Sequence, residues 1–290
     1  MTEQNTIESF LLSYKDQHIY YMPNPGNGGD ALIAYATFCL FDKLGLKYSI
    51  INAQTDVKDK IVFIGGGGNL VKEYDTLSNF IHSNLNTIKE LVVLPHTINS
   101  HQELIKKMGN NVTLLCREQM SYDYVTQLNQ NCRCYLIEDL AFTLPIDTLR
   151  QKLRKNILPI FLRQYVFKMF RYQGQVIRPW WNILFGQTLN AFRIDSERTQ
   201  IVKPKNNMDL SLLILYDKSM CDKNSVERNV IDILSVLNKY STVKTNRLHI
   251  CIGAALLGKK VMFHPNSYYK NESIYLFSLK DKFPNVEWCS

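Results

Sequence analysis

The sequence contains no apolar run approaching the roughly 18 residues that a membrane-crossing helix requires. Its N-terminus, MTEQNTIESF, lacks a basic n-region and an apolar h-region, so no secretory signal is expected. The seven cysteines, Cys39, Cys116, Cys132, Cys134, Cys221, Cys251 and Cys289, make no C-x-x-C pair and no zinc-ribbon spacing. An odd, irregular set of this kind reads as free thiols in a reducing compartment. The expectation is a cytoplasmic protein whose membrane contact, if it has one, is peripheral on the inner face of the cytoplasmic membrane. The sequence also lacks a D-x-D motif and any His/Cys cluster with ligand spacing, so neither a metal nor a cofactor is expected. There is no G-x-G-x-x-G fingerprint, no Walker A loop and no internal repeat. No nucleic-acid-binding motif is present, and nucleic acid is not an expected partner.

What the sequence does have is the composition of a globular protein. It has 290 residues, of which 46% are hydrophobic and 21% charged, enough for two domains. The net charge of +8 comes from one place. Residues 150–193 hold nine Lys or Arg (Arg150, Lys152, Arg154, Lys155, Arg163, Lys168, Arg171, Arg178 and Arg193) and no Asp or Glu. Hydrophobic residues such as Phe161, Phe167, Phe170, Trp180 and Trp181 are interleaved with them. Such a stretch suits an anionic membrane surface. It equally suits a segment packed between two domains with its charges solvated, or a protein partner.

The first half alternates strand and helix patterns, the signature of an α/β sheet. Strands are predicted at 18–22, 47–51, 61–64, 91–94, 112–116 and 134–138, with helices at 31–44, 77–84, 104–108 and 121–128. After the basic segment a second α/β region is predicted, with strands at 210–216, 242–244 and 260–263 and helices at 226–237 and 248–257. The predicted domains are 1–147, a basic linking segment at 148–192, and 193–290. In open parallel sheets, ligands bind beyond the carboxyl ends of the strands. The loops of interest therefore follow strands.

Several of those loops carry groups suited to chemistry. Asn24-Pro25-Gly26-Asn27-Gly28-Gly29-Asp30 joins a strand to a helix, where backbone can approach an anion closely; it also reads as a tight turn capped by Asp30. Gly65–Gly68 and Asn69 follow the next strand, and four glycines there point to close approach by a ligand or another backbone. Pro95-His96-Thr97 and Arg117-Glu118 follow further strands, and Arg117 with Glu118 also reads as a buried structural pair. Asp139 reads as a cap. In the second half, Arg193-Ile194-Asp195-Ser196-Glu197 clusters charge. Arg247-Leu248-His249 opens a helix after a strand, placing a guanidinium and an imidazole where an anion can be gripped bidentately. Lys270 follows the next strand on the same rim.

These segments, in this order and spacing, resemble the polysaccharide pyruvyl transferase family. The family's G-N-x-G-D loop is similar to Gly26–Asp30, its G-G-G-N to Gly66–Asn69 and its L-P-Q-T to Leu94–Thr97. R-E-x-x-S matches Arg117–Ser121 and D-x-A-F matches Asp139–Phe142. R-x-D-x-E matches Arg193–Glu197, T-x-R-L-H matches Thr245–His249, and N-S-Y-x-K matches Asn266–Lys270. The resemblance runs from about residue 18 to about residue 275. His96 stands where the family commonly has Gln, Asn246 stands where it often has Asp, and the second domain is short.

The resemblance implies two Rossmann-like α/β domains facing a cleft, as in GT-B glycosyltransferases. It implies phosphoenolpyruvate as donor, held by Arg193, Arg247, Leu248 and His249 with Lys270 as a further cation, and His249 and Arg247 as the catalytic pair. The sugar acceptor, carried on a lipid-linked oligosaccharide or a polymer, is expected against Asn27, Asp30, Gly67, Asn69, His96, Arg117 and Glu118. A nucleotide-sugar glycosyltransferase and a catalytically inactive scaffold in polysaccharide assembly stay open as alternatives.

Overall fold

The computed structural model describes residues 6–162, 186–195, 197–201, 203–214, 216 and 221–290. The chain divides into two compact units, Met1–Asn24 with Ala36–Thr143, and Pro25–Tyr35 with Leu144–Ser290. The glycine-rich loop before the first long helix thus groups with the second unit, although it lies among the strands of the first in sequence.

The first unit is built on β1 (His18–Met22), β2 (Lys47–Ile50), β3 (Ile61–Ile64), β4 (Gly67–Leu70), β5 (Glu90–Ile98), β6 (Val112–Cys116) and β7 (Arg133–Leu136). They pair in parallel in the order β2-β1-β3-β5-β6-β7, with β4 also on β5. Every residue of β3 and β6 is buried, which is why they read as unbroken apolar runs: a parallel sheet is covered on both faces. Val62, Ile64, Leu91, Val93 and Leu114 pack with Leu77 and Ile81 of α3 (Thr76–Asn84) and Val125 of α5 (Gln119–Leu128). Elsewhere in this unit Tyr21 receives Phe38 and Phe41 of α2 (Gly28–Leu44) edge-on, with ring centroids 5.4 and 5.3 Å away. The short helices α1 (Ile7–Leu12) and α4 (Gln102–Lys106) complete it.

Two expectations are corrected here. The strand predicted to end at Leu94 runs on through Pro95, His96 and Thr97 to Ile98. Proline lacks an N–H and is normally excluded from a central strand except at an irregularity. Pro95 sits in such an irregularity, where the register with β6 shifts between Val93 and His96. The glycine run also is not all loop: Gly67–Leu70 is a strand, paired with β5 at His96 and Ile98, beyond the stretch that pairs β3. Gly65 makes the step between β3 and β4. A Cβ there would lie 2.8 Å from the Asn24 backbone nitrogen, so only glycine lets the end of β1 pass this closely.

The second unit carries a four-stranded parallel sheet. Its strands are β8 (Thr188–Ala191), β9 (Thr242–Thr245), β10 (Lys260–Phe263) and β11 (Val286–Trp288), in the order β11-β10-β9-β8. Helices among its described residues include α6 (Ile146–Lys152), α7 (Leu210–Leu213), α8 (Lys223–Lys239), α9 (Leu248–Leu256) and α10 (Lys270–Ile274). α9 is apolar all round because nearly all of it is buried. It ends at Gly258, whose φ of 75° suits a glycine C-cap, as its sequence predicts.

Of the strand predicted at 210–216, residues 210–213 instead form one helical turn, α7, and the strand that fills the sheet edge is β8. The apolar run is buried as a turn, and Tyr216 beyond it makes an isolated antiparallel bridge to Gly26. β8, with its polar Thr188 and Asn190, gives no apolar run to read.

The basic segment is described only in part. Arg150 donates to the Leu256 carbonyl, Lys152 pairs with Glu227 at 2.6 Å, and Arg154 pairs with Asp232 at 3.1 Å. These cations are therefore anchored to α8 and α9 within their own unit. The rest of the predicted membrane-contact stretch, 163–185, lies outside the described residues. No helix among the described residues is long and apolar enough to cross a membrane.

Replacing Gly65 with Ala should cost about 1–3 kcal/mol, because the methyl must push the Asn24 backbone aside. Thermal unfolding followed by circular dichroism measures it; an unchanged midpoint would show that the β1 end can yield freely.

Candidate functional site

In the second unit, three cations arrive from the carboxyl ends of three neighbouring strands. Arg193 follows β8, Arg247 follows β9 and Lys270 follows β10. All three are buried, at 6%, 4% and 7% exposure, so each needs a counter-charge. Lys270 Nζ donates to Glu197 Oε2 at 2.6 Å. The same carboxylate oxygen accepts from Arg193 Nη1 at 2.7 Å. Arg193 also grips Asp195 with Nε and Nη2, at 2.8 and 3.1 Å. Asp195 Oδ2 reaches Arg247 Nη2 at 2.8 Å. Asp209 then takes Arg247 Nε and Nη2, at 2.9 and 2.5 Å. The result is one chain of alternating charge: Lys270, Glu197, Arg193, Asp195, Arg247, Asp209.

The pairing decides the protonation states. Burial works against charge on Arg193, but the Asp195 hydrogen bond and the Glu197 charge more than offset it, and its pKa is raised. Burial likewise opposes the charge of Asp195, but Arg193 and Arg247 hold its carboxyl below the usual range. Glu197 is also lowered: burial raises it, and Lys270 and Arg193 outweigh burial.

The backbone around this chain is fixed by neutral groups. Arg193 N–H donates to Asn246 Oδ1 at 2.8 Å, and Arg247 N–H donates to Thr245 Oγ1 at 2.9 Å. Thr245 Oγ1 in turn donates to the Ala191 carbonyl at 2.7 Å. Asn271 Nδ2 ties the Asn246 and His264 carbonyls together, so the loop carrying Lys270 is fastened to the loop carrying Arg247.

Arg247 is the N-cap of α9, followed by buried Leu248 and half-buried His249. The start of α2 lies against His249. A Cβ on Gly29 would come within 2.6 Å of His249 Nδ1, so glycine is what allows the loop this close. The loop is shaped by its own side chains. Asn27 Oδ1 accepts the Gly29 N–H at 2.8 Å, and Asp30 Oδ2 accepts the Asn27 N–H at 2.8 Å. Asn27 and Asp30 are thus brought beside the donor-side residues of the sequence reading, in the same unit as His249.

The remaining predicted residues gather in the first unit. His96 Nε2 accepts the Asn69 N–H at 2.9 Å, and Asn69 Nδ2 donates to Asn24 Oδ1 at 2.7 Å. An accepting Nε2 places the proton of the neutral imidazole on Nδ1. Burial lowers the His96 pKa to about 3, and Arg117 pushes the same way against smaller opposing effects of Asp139 and the Leu94 backbone. Arg117 lies close by, with its Nη2 3.2 Å from where a Cβ on Gly68 would stand. It donates through Nη1 to Asp139 Oδ2 at 2.7 Å and through Nε to Thr97 Oγ1 at 2.9 Å. The buried partner of Arg117 is therefore Asp139 and not the adjacent Glu118. Asp139 also caps, accepting the Ala141 N–H at 2.9 Å.

Glu118 is the N-cap of α5. It accepts the Ser121 N–H at 2.8 Å and the Ser121 hydroxyl. That hydroxyl accepts the Ile98 N–H at 2.7 Å, which ties the helix to β5. Burial raises the Glu118 pKa against the lowering effect of Ser121 and Arg117. Gly67 is buried, and Gly68 and Asn69 are half-buried.

The polysaccharide pyruvyl transferase family model matches residues 27–268, most of the chain. The chain belongs to this family. The matched span contains both clusters of side chains except Lys270: one braces β4, β5 and α5, and the other joins three strand ends. The fold is shared with the crystal structure of a functionally uncharacterised protein from Klebsiella pneumoniae subsp. pneumoniae. That chain is 29% identical, both chains are covered in full, and the TM-score is 0.78. No curated protein sequence matches the chain. Membership makes the protein one of a family of transferases acting in polysaccharide biosynthesis.

Asp209 is the residue that sequence reading missed. It stands in none of the matched motifs, and its one signal is an acid just before an apolar run. Asp195 and Glu197 lie inside a motif, but their part in neutralising Lys270 and Arg247 depends on contacts distant in sequence.

Two outcomes follow for the first unit. Asp139→Ala leaves Arg117 buried without its counter-charge and should cost about 3–5 kcal/mol in urea unfolding. His96, with a folded pKa of about 3 against 6.5 unfolded, binds its proton mainly in the unfolded chain. Its protonation therefore takes no stability above pH 6.5 and about 1.4 kcal/mol per pH unit as pH falls towards 3. His96→Gln keeps an acceptor for Asn69 and should flatten that acid slope. An identical slope in the variant would assign the acid sensitivity to other groups.

Proposed function

We propose that this protein transfers pyruvate from phosphoenolpyruvate to two hydroxyls of a sugar, forming a cyclic ketal on a surface polysaccharide or its lipid-linked precursor. The observation that carries the reading is the six-membered charge chain beside His249, in a chain that belongs to the pyruvyl transferase family. Phosphoenolpyruvate bears a carboxylate and a phosphate, and guanidinium groups recognise both bidentately. In this reading Asp195, Glu197 and Asp209 keep Arg193, Arg247 and Lys270 together, and Arg247 turns its remaining donors to the substrate. Arg193 is spent on Asp195 and Glu197 and acts chiefly by shaping the site. Two domains facing a cleft, with sugar on the side of Asn69 and donor on the side of Arg247, form part of the proposal.

The chemistry needs one proton at carbon. His249 is the group chosen to deliver it, since imidazole is the side chain suited to proton exchange near neutrality. Protonation of the vinyl methylene leaves a cationic centre at the adjacent carbon, and a sugar hydroxyl oxygen bonds to it. The carbon–oxygen bond to phosphate then breaks, with its electron pair going to phosphate. A second hydroxyl of the sugar closes the ketal. Of the two hydroxyl protons, one accounts for the new methyl hydrogen and the other leaves with phosphate. Arg247 beside the departing phosphate stabilises the developing charge. The chain's own groups carry each of these roles, so the proposal includes no cofactor.

Calorimetric titration with phosphoenolpyruvate should give saturable binding that Arg247→Ala abolishes, with uridine diphosphate silent. Binding of uridine diphosphate in place of phosphoenolpyruvate would move the protein to nucleotide-sugar chemistry. A cytoplasmic location at the inner membrane face belongs to the same proposal, and vesicle flotation with and without anionic lipid tests it.

A further inference from the structure

We infer that Asp209 is a positioning residue for the donor site, the carboxylate that aims Arg247 at the anion; this deepens the proposed function and rests on it. Asp209 occupies the N-cap of α7, a place where an aspartate ordinarily accepts its own helix's N–H groups. Here its side chain makes no capping bond. The carboxylate turns instead to Arg247, 38 residues on, and takes the Nε and Nη2 edge of the guanidinium fork. Its Oδ2 also accepts the Ile194 N–H at 2.9 Å. One buried carboxylate therefore fixes two things at once: the rotation of the Arg247 guanidinium, and the backbone immediately after Arg193.

The geometry follows from counting donors. A guanidinium has five N–H groups in one plane. Asp209 engages Nε and Nη2, and Asp195 engages Nη2 again. The two Nη1 hydrogens are taken by neither carboxylate, and because the fork is planar their direction is set by the Asp209 clasp. Asp209 and Asp195 differ in accessibility. The Asp209 side chain is 2% exposed and the Asp195 side chain 26%. Asp195 thus stands on the accessible side of Arg247, whereas Asp209 lies behind it as a fixed backing. Loss of the Asp209 charge frees the guanidinium to rotate towards Asp195 and blurs the aim of Nη1.

The test compares phosphoenolpyruvate affinity in wild type, Asp209→Asn and Asp209→Glu, alongside the melting temperature of each without ligand. Asp209→Asn keeps the shape but sets an amide N–H against the guanidinium, and affinity should fall at least about tenfold. Asp209→Glu restores the charge and should recover most of that loss, even where its melting temperature is as low as that of the Asn variant. Affinity that follows charge rather than melting temperature supports positioning. Wild-type affinity in folded Asp209→Asn, or affinity that merely tracks stability across both variants, overturns it. Should Asp209→Asn not fold, Asp209→Ser takes its place in the same comparison: weakened affinity that Asp209→Glu recovers supports positioning, and wild-type affinity in Asp209→Ser, or affinity that merely tracks melting temperature, overturns it. A wild-type protein that binds no phosphoenolpyruvate sinks the donor reading itself, and is distinguished by needing no variant at all.

Discussion

Three buried cations cannot share one rim of a sheet unless carboxylates separate them. Desolvating each costs several kcal/mol, and their mutual repulsion adds to it. The second unit meets this constraint with a chain in which every charge touches its opposite, from Lys270 to Asp209. Much of the local architecture serves that chain. Asn246 holds the Arg193 backbone, Thr245 joins the Arg247 backbone to β8, and Asn271 fastens the Lys270 loop to the Arg247 loop. On the proposed reading, an anion site assembled in this way is preorganised, with its donors aimed before a ligand arrives. Because the carboxylates balance the cations, the proposed anion would be held by geometry and partner exchange rather than by net positive charge alone.

The first unit solves a related problem without a charge chain. Its polar residues lie at the end of a long central strand, where Pro95 breaks the register with β6 and β4 takes over from β3. His96 is kept neutral there, and the Arg117–Asp139 ion pair is buried and supported by Thr97. Glu118 and Ser121 secure α5 to β5. These side chains hold the strand-end loops in place, and the half-buried Gly68 and Asn69 stand at that strand end.

The likeness to the Klebsiella pneumoniae protein extends over the full length of both chains, the short second unit included. Its sheet of four strands is enough to bring three neighbouring strand ends together, and those ends carry Arg193, Arg247 and Lys270.

The sequence by itself determined the alternation of strands and helices in both halves, because apolar runs buried on two faces and helices of period 3.6 leave local signatures. It also determined that Arg247 and Lys270 come after neighbouring strands, since β9 and β10 leave apolar signatures of their own. It could not determine that residues 210–213 form a helical turn, or that TLNA at 188–191 is a strand, because short elements are decided by their neighbours and not by their own pattern. Nor could it assign partners. Arg117 lies next to Glu118 in sequence yet pairs with Asp139, and Arg247 is clasped by an aspartate that no motif contains. Residue types and spacing are local properties, whereas the partner of a buried charge is set by which strand ends the sheet brings together, and only the tertiary structure decides that.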